Sequence, residues 1–254
     1  MTKLFVESVG FSGTTSIADM LRADDESYVT HGTKNFEIPQ AYSDDDPTLG
    51  EFVSQMERKE SECSNCIAIH TSFDPKEISE FFQNKNIKFY GLARKSQKAQ
   101  ILSCFFWKVN QFLSGQELAL EQLSNIHKNH GAILNQIGLA SNMVNCFLLF
   151  SVHYVLQYNF KLSECSDRIF FLEDISTFPD SFVAALELKN VKSSGYTLGK
   201  SNSHRSKTEN FSFLSDASKI LEKMVDFVQI NTDVGNLYLS DIEYALTQKS
   251  SILK

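Results

Sequence analysis

A turn near the N-terminus has the residue types and spacing of a phosphate-binding loop. The short apolar run Lys3–Val6 leads into Gly10–Thr15, and Ile17, Met20 and Leu21 follow at helical spacing. A strand, a glycine turn and a helix in this order can cradle an anion. The glycines let the backbone approach the ligand, and the N–H groups at the helix start supply partial positive charge. The loop therefore predicts a phosphate-bearing ligand; the alternative is a plain turn of small residues.

This loop departs from the full P-loop pattern at one position. The pattern GxxxxGK[ST] places a lysine after its second glycine, whereas Thr14 and Thr15 follow Gly13 here. We therefore do not expect ordinary hydrolysis of ATP or GTP.

The elements that must position this loop alternate between strands and helices. Buried strands are predicted at Lys3–Val6, Cys66–His70, Asn86–Ala93 and Arg168–Leu172. Such alternation predicts an α/β fold with a central parallel sheet, helices on both faces and the P-loop-like turn after the first strand. We expect one domain over residues 1–254. The predicted helices are Leu49–Glu60, Lys76–Phe82 opened by Pro75 with Asp74 as its N-cap, Gln97–Gly115, two over Glu117–Asn159, Pro179–Leu186, Ser215–Gln229 and a short C-terminal one.

Polar residues follow several of these strands directly. In doubly wound sheets, ligands bind at the carboxyl ends of the strands, so we expect the Gly10 loop, His70, Arg94 and Glu173 at one edge. Arg94 suits a phosphate because its guanidinium binds anions in a bidentate manner; a surface ion pair is the alternative. Glu173 and Asp174 are expected to cap a helix or to pair with a loop cation.

Net charge and hydropathy indicate which partners and which cellular location to expect. A net charge of −7 over 254 residues does not favour a nucleic-acid partner. The N-terminus does not resemble a signal peptide, and Met143–Tyr158 is too short and too polar to span a bilayer, so we expect a cytoplasmic protein.

The five cysteines indicate a reducing compartment. Cys63 and Cys66 form a single CxxC, and because a zinc site needs about four ligands, we interpret them as structural thiols. His127 and His130 are expected to be solvated on a polar helix face.

In order and spacing, four segments resemble the sulfotransferases that use 3′-phosphoadenosine 5′-phosphosulfate (PAPS). Gly10–Thr15 is similar to the family's PxSGTT loop, and Ile67–Ser72 to a strand end that carries a histidine base. Ile87–Ser103 is similar to the segment that places an arginine after a strand and a serine about two helical turns later. Ser203–Lys207 is similar to a late cationic loop.

The resemblance implies a role for each matching residue. His70 would be the general base, with His31 and then Glu37 as further candidates. PAPS would be the co-substrate, without a metal, and the acceptor a hydroxyl or amine of a carbohydrate or small molecule. The loop that would wrap the 5′-phosphosulfate consists of Gly10, Phe11, Ser12, Gly13, Thr14 and Thr15. The 3′-phosphate would be bound by Arg94, Ser103, Arg205 and Lys207.

The departures from the family's pattern leave two alternatives open. Phe11 stands where the family has a lysine or arginine at the leaving oxygen, Asn35 replaces the glutamate of a Lys-Glu pair, and Ala68 replaces a lysine. One alternative is a catalytically degenerate nucleotide-binding protein of the same fold, and the other is a P-loop-like kinase of a small molecule. Lys34, Lys200 or Lys207 are candidates to replace the missing cation.

Overall fold

Five segments pair side by side into one parallel sheet in the computed structural model. They are β1 (Thr2–Glu7), β2 (Ser27–His31), β3 (Asn65–Ile69), β4 (Lys88–Ala93) and β5 (Arg168–Phe171). The order across the sheet is β2-β3-β1-β4-β5, and every neighbouring pair is parallel. The predicted α/β fold with a central parallel sheet is confirmed.

The structure describes residues 2–37, 47–83, 85, 87–115, 117–190, 196, 198 and 216–250. The chain divides into two compact units, neither of which is a continuous stretch. The first comprises Met1–Lys95, Tyr158–Ser201 and Ala245–Lys254, and the second Ser96–Gln157 and Asn202–Tyr244. The single domain expected from the sequence stays a prediction.

Helices account for most of the remaining described residues. In chain order they are α1 (Thr14–Arg22), α2 (Leu49–Arg58), α3 (Pro75–Phe82), α4 (Gln97–Leu113), α5 (Glu117–Gln136), α6 (Met143–Cys165), α7 (Leu172–Thr177), α8 (Pro179–Ala185), α9 (Ala217–Val225) and α10 (Leu239–Gln248).

Local capping explains where several helices begin. Asp74 caps α3 as predicted, since its carboxylate accepts the N–H of Lys76 at 2.9 Å while Pro75 occupies the first turn. Thr48 and Glu51 form a reciprocal capping box at the start of α2. The strand predicted to end at Leu172 is one residue shorter, because Leu172 already begins α7.

Helices cover both faces of the sheet within the first unit. On one face, Leu4 and Val6 of β1 belong to a buried cluster with residues of α1, α7 and α8. On the other, the Phe5 ring lies 5.4 Å from that of Phe52 on α2 and 4.8 Å from that of Phe82 on α3. The strands are therefore buried on both sides, as parallel strands generally are.

The strand register brings the carboxyl ends of the strands to one edge. Val6 pairs with Ile69, which pairs with His31, and Glu7 pairs with Gly91 in β4. The chain leaves β1 toward β2 and leaves β4 toward β5, so these two connections diverge at the centre of the sheet. Ligands of open α/β sheets bind at such a point.

The second unit contains α4, α5, most of α6, α9 and a hairpin that the sequence patterns did not predict. The hairpin pairs β6 (Ile230–Thr232) with β7 (Gly235–Leu237) in antiparallel fashion. The two helices predicted over Glu117–Asn159 are confirmed, although α6 continues to Cys165. Among the described residues, no helix is both long and apolar enough to cross a membrane.

Candidate functional site

The loop between β1 and α1 has a backbone conformation that only a few residue types adopt easily. The φ angles of Gly10, Phe11 and Gly13 are +87°, +60° and +76°, all in the left-handed region. At Gly13, a Cβ atom would lie 2.6 Å from Cδ1 of Leu172, so glycine is favoured by both conformation and space. Phe11 has a Cβ atom, which makes a positive φ unfavourable, so its backbone is strained in the middle of the loop.

The start of α1 leaves backbone donors available to a ligand. Gly13 is the N-cap and supplies no side-chain acceptor, and the first turn contains no acidic residue. Four consecutive N–H groups have no hydrogen-bond acceptor among the described residues; they belong to Ser12, Gly13, Thr14 and Thr15. A helix start with free N–H groups and no carboxylate is suited to an anion.

Two buried serine hydroxyls brace the loop from inside. The hydroxyls of Ser8 and Ser12 are hydrogen-bonded to each other, and the N–H of Gly10 donates to Oγ of Ser8 at 3.0 Å. Both serines are fully buried. The Ser12 side chain therefore supports the loop, and it is the Ser12 backbone N–H that is left for a ligand. The role of Ser8 was not predicted.

His70 is held against this loop. Its Nδ1 donates to the backbone oxygen of Ser8 at 2.7 Å, and its Cε1 lies 3.7 Å from the position that a Cβ of Gly10 would occupy. This bond leaves Nε2 as the ring nitrogen that can accept a proton. Burial lowers the pKa of His70, and the bond to Ser8 opposes that shift only in part. The imidazole is therefore neutral at physiological pH.

His31 reaches the loop from the end of β2, which is separated from β1 by β3. Its Nε2 is 3.0 Å from the hydroxyl of Thr14, and its ring centroid lies 6.1 Å from that of His70. Burial, followed by the neighbouring His70 and Arg22, lowers the pKa of His31 to about 4. The structure thus brings both predicted histidines to the glycine loop, each in its neutral form.

A buried carboxyl group beneath the site was missed by the sequence analysis. Glu7, the last residue of β1, is completely buried. Its Oε1 accepts the backbone N–H of Thr71 at 2.8 Å and the Thr71 hydroxyl, and Tyr158 donates to Oε2 at 3.4 Å. Because Thr71 follows His70, Glu7 fixes the turn that carries the histidine. Along the sequence, Glu7 only follows the short apolar run Lys3–Val6, and nothing local indicates that its carboxyl group is buried.

Two cations directly follow β4, and two carboxylates lie in the first turn of α7. Glu173 accepts the backbone N–H of Lys95 at 2.9 Å, and Asp174 pairs with the Lys95 ammonium at 2.6 Å. The expected pairing with a loop cation is therefore present at Asp174, whereas Glu173 accepts a backbone N–H. Arg94 is half-buried, and burial lowers its pKa while Glu173 raises it, so its guanidinium remains protonated.

Other predicted residues lie elsewhere or outside the described residues. Ser103 is half-buried on α4 in the second unit. The carboxylate of Glu37 forms an ion pair with Arg58 at 2.6 Å, and Lys34 lies over the ring of Phe73. Among the candidate cations, Lys200, Arg205 and Lys207 fall outside the described residues.

In the second unit, one expectation about histidines is wrong. His130 is not solvated but half-buried, and its ring stacks on that of His153 with centroids 4.9 Å apart. His130 Nδ1 and His153 Nε2 are buried without hydrogen-bond partners. Burial, followed by the nearby His130, lowers the pKa of His153 to about 4.

No protein-family model, curated protein or solved structure matches this chain. Within the described residues, no three histidine, cysteine or carboxylate side chains gather in a way that could hold a metal ion. The features of this chain that bear on its function are therefore the glycine loop, its histidines and the charges at the strand ends.

Proposed function

We propose that this chain binds PAPS at the Gly10–Thr15 loop and transfers its sulfuryl group to a hydroxyl or amine of a carbohydrate or small molecule. One observation supports this most strongly. Four consecutive backbone N–H groups at the start of α1 have no acceptor among the described residues, and a neutral histidine is held against the same loop by its bond to Ser8. The N–H groups suit a phosphate, and the histidine suits a proton that must be removed nearby.

The charges at the sheet edge suit a ligand with phosphates at two ends. The loop offers neutral backbone donors for the 5′-phosphosulfate, and Arg94, after the adjacent strand, offers a guanidinium for the 3′-phosphate. We assign Arg94 to the 3′-phosphate because its planar guanidinium can bind a phosphate in a bidentate manner, whereas Lys95 forms an ion pair with Asp174. The other 3′-phosphate residues implied by the resemblance, Ser103, Arg205 and Lys207, carry no part of this proposal.

The proposed step is an in-line displacement at sulfur. The acceptor oxygen or nitrogen forms the new bond to sulfur, and the bond between sulfur and the bridging phosphate oxygen breaks. Nε2 of His70 takes the acceptor proton, and the loop N–H groups stabilise the charge that develops on the departing phosphate. The products are the sulfated acceptor and 3′,5′-adenosine bisphosphate.

A second candidate function is nucleotide binding without transfer. The observation in its favour is Phe11, which lies within the loop at φ +60°, where the resembling family has a cation. Removing one positioned donor from a leaving oxygen costs roughly 3–4 kcal/mol of transition-state stabilisation. Kinase chemistry is supported less, because its magnesium ion would have to be held by Glu173 and Asp174, and both carboxylates already accept hydrogen bonds from Lys95.

Thermal unfolding with three ligands tests the proposed binding. The ligands are 3′,5′-adenosine bisphosphate, AMP and ATP with magnesium. A ligand at about 100 times its Kd adds about 2.7 kcal/mol, which raises the midpoint by roughly 5–10 °C for a chain of this size. We expect the largest rise with the bisphosphate and a smaller rise for Arg94→Ala. The matched control Arg58→Ala removes an arginine that is paired away from the loop.

Each outcome of this experiment has a definite meaning. A rise with ATP and magnesium alone would favour the kinase, and no rise with any ligand would refute nucleotide binding. If the bisphosphate binds, sulfuryl transfer is measured with labelled PAPS. We expect His70→Gln to lower kcat by roughly 10²–10⁴ while the bisphosphate still binds. Binding without transfer or PAPS hydrolysis in the wild type would favour the degenerate protein.

A further inference from the structure

Cys63 and Cys66 form a thiol pair where the chain enters β3. Their sulfur atoms lie 3.4 Å apart, about 1.4 Å more than the length of a disulfide bond. All five cysteines are reduced and lie within the described residues, and no other two of their sulfurs are in contact. This pair is therefore the place where the fold brings two thiols within reach of a covalent bond.

The two thiols differ in exposure. Cys63 is half-buried, whereas Cys66 is completely buried. A small molecule from solution therefore reaches the sulfur of Cys63 first. The sulfur of Cys66 is less accessible but lies 3.4 Å from that of Cys63, close enough to attack it in a second step.

Each of the two thiols donates a hydrogen bond to a backbone oxygen. Cys63 donates to the backbone oxygen of Lys59 at 3.4 Å, and Cys66 donates to that of Met56 at 3.7 Å. These carbonyls lie at the end of α2 and in the following turn Lys59–Ser61. The backbone of this turn therefore holds both thiol groups in place.

We propose that Cys63 and Cys66 form a reversible intramolecular disulfide with a small-molecule disulfide, such as oxidised glutathione, as the oxidant. Because the thiolate is the attacking species in such an exchange, we expect the oxidation to be faster at alkaline than at neutral pH. This site is separate from the glycine loop and does not depend on the proposed function.

The exchange balances in two steps. Cys63 loses its proton and attacks one sulfur of the oxidised glutathione, forming a mixed disulfide and releasing the first reduced glutathione. Cys66 then loses its proton and attacks the sulfur of Cys63, forming the internal bond and releasing the second reduced glutathione. The protein gives up two electrons and two protons, which the two glutathione molecules carry away.

Peptide mapping of the full-length protein tests this proposal. The protein is equilibrated with mixtures of reduced and oxidised glutathione, quenched with acid, alkylated and digested. We expect the peptide with Cys63 and Cys66 to lose two hydrogens and both alkylation sites, and to recover them with dithiothreitol. Cys66→Ser should instead accumulate a glutathione adduct on Cys63, and the control Cys165→Ser should behave like the wild type.

Three results would overturn the proposal. In the first, both thiols stay reduced at every glutathione ratio. In the second, the wild type accumulates a lasting glutathione adduct without an internal bond. In the third, oxidation abolishes the native circular dichroism spectrum, which would mean that the fold does not accommodate the bond.

Discussion

Replacing Glu7 by glutamine should make the protein more stable at neutral and alkaline pH. Burial raises the pKa of Glu7 from 4.5 to about 7, although the hydrogen bonds from Thr71 act in the opposite direction. Glutamine keeps an oxygen for the two donors of Thr71, and its amide N–H can donate to the Tyr158 hydroxyl. The substitution therefore removes the ionisation while it preserves the hydrogen bonds.

The sign and size of the effect follow from the two pKa values. Between pH 4.5 and about 7, the native Glu7 keeps its proton while the unfolded one has lost it. The native state then binds more protons, so the free energy of unfolding falls as pH rises. A difference of about 2.5 units at 1.36 kcal/mol each gives a loss of about 3 kcal/mol by pH 8, of which about 2 kcal/mol is lost by pH 6.

Denaturant unfolding at a series of pH values measures this effect. The quantity to follow is the unfolding free energy of Glu7→Gln minus that of the wild type, because the histidines titrate in both proteins and cancel. This difference should be close to its minimum at pH 4.5 and about 3 kcal/mol larger at pH 8. Glu80→Gln, the same change at an exposed position of α3, should give a flat difference. A flat curve for Glu7→Gln would refute a buried carboxyl with a raised pKa.

Three further substitutions test the structure. Gly13→Ala should lower the unfolding free energy by roughly 1–2 kcal/mol from its positive φ alone, and by more than Gly32→Ala, which has a positive φ but open space around it. Equal losses in urea unfolding would contradict the close contact at Gly13. Asp74→Ala should cost about 1 kcal/mol by removing the cap of α3, measured in the same way. The pKa of His153 is lowered to about 4. The free energy of unfolding should therefore fall as the pH drops below 6.5, by as much as about 3 kcal/mol. His153→Phe, which preserves a ring against His130, should reduce this slope, and an unchanged slope would argue against the buried pair.

Much of the fold could be predicted because its signals are local. Apolar runs between turn residues predicted four strands of the sheet, and Asp74 with Pro75 predicted the start of α3. The hairpin at Ile230–Leu237 was missed because its strands are three residues each, too short for an alternating pattern to show.

The candidate site was predicted in part. The positions of His70 and Arg94 at strand ends follow from the apolar runs that precede them, because parallel strands place their carboxyl ends together. The partners of these residues were not predictable in the same way. The bond from His70 to Ser8 joins residues 62 positions apart, and no local pattern specifies it.

The sequence by itself determined the strands, the glycine turn and its helix, because backbone conformation and capping depend on neighbours along the chain. Tertiary structure alone decided which side chains meet. The register of β1 against β3 brings Glu7 under Thr71 and places His70 beside Gly10. A register shift of one residue would turn every side chain of the strand to the opposite face. The buried carboxyl and the neutral histidines are therefore consequences of packing between distant segments, and their ionisation is set by burial and not by sequence position.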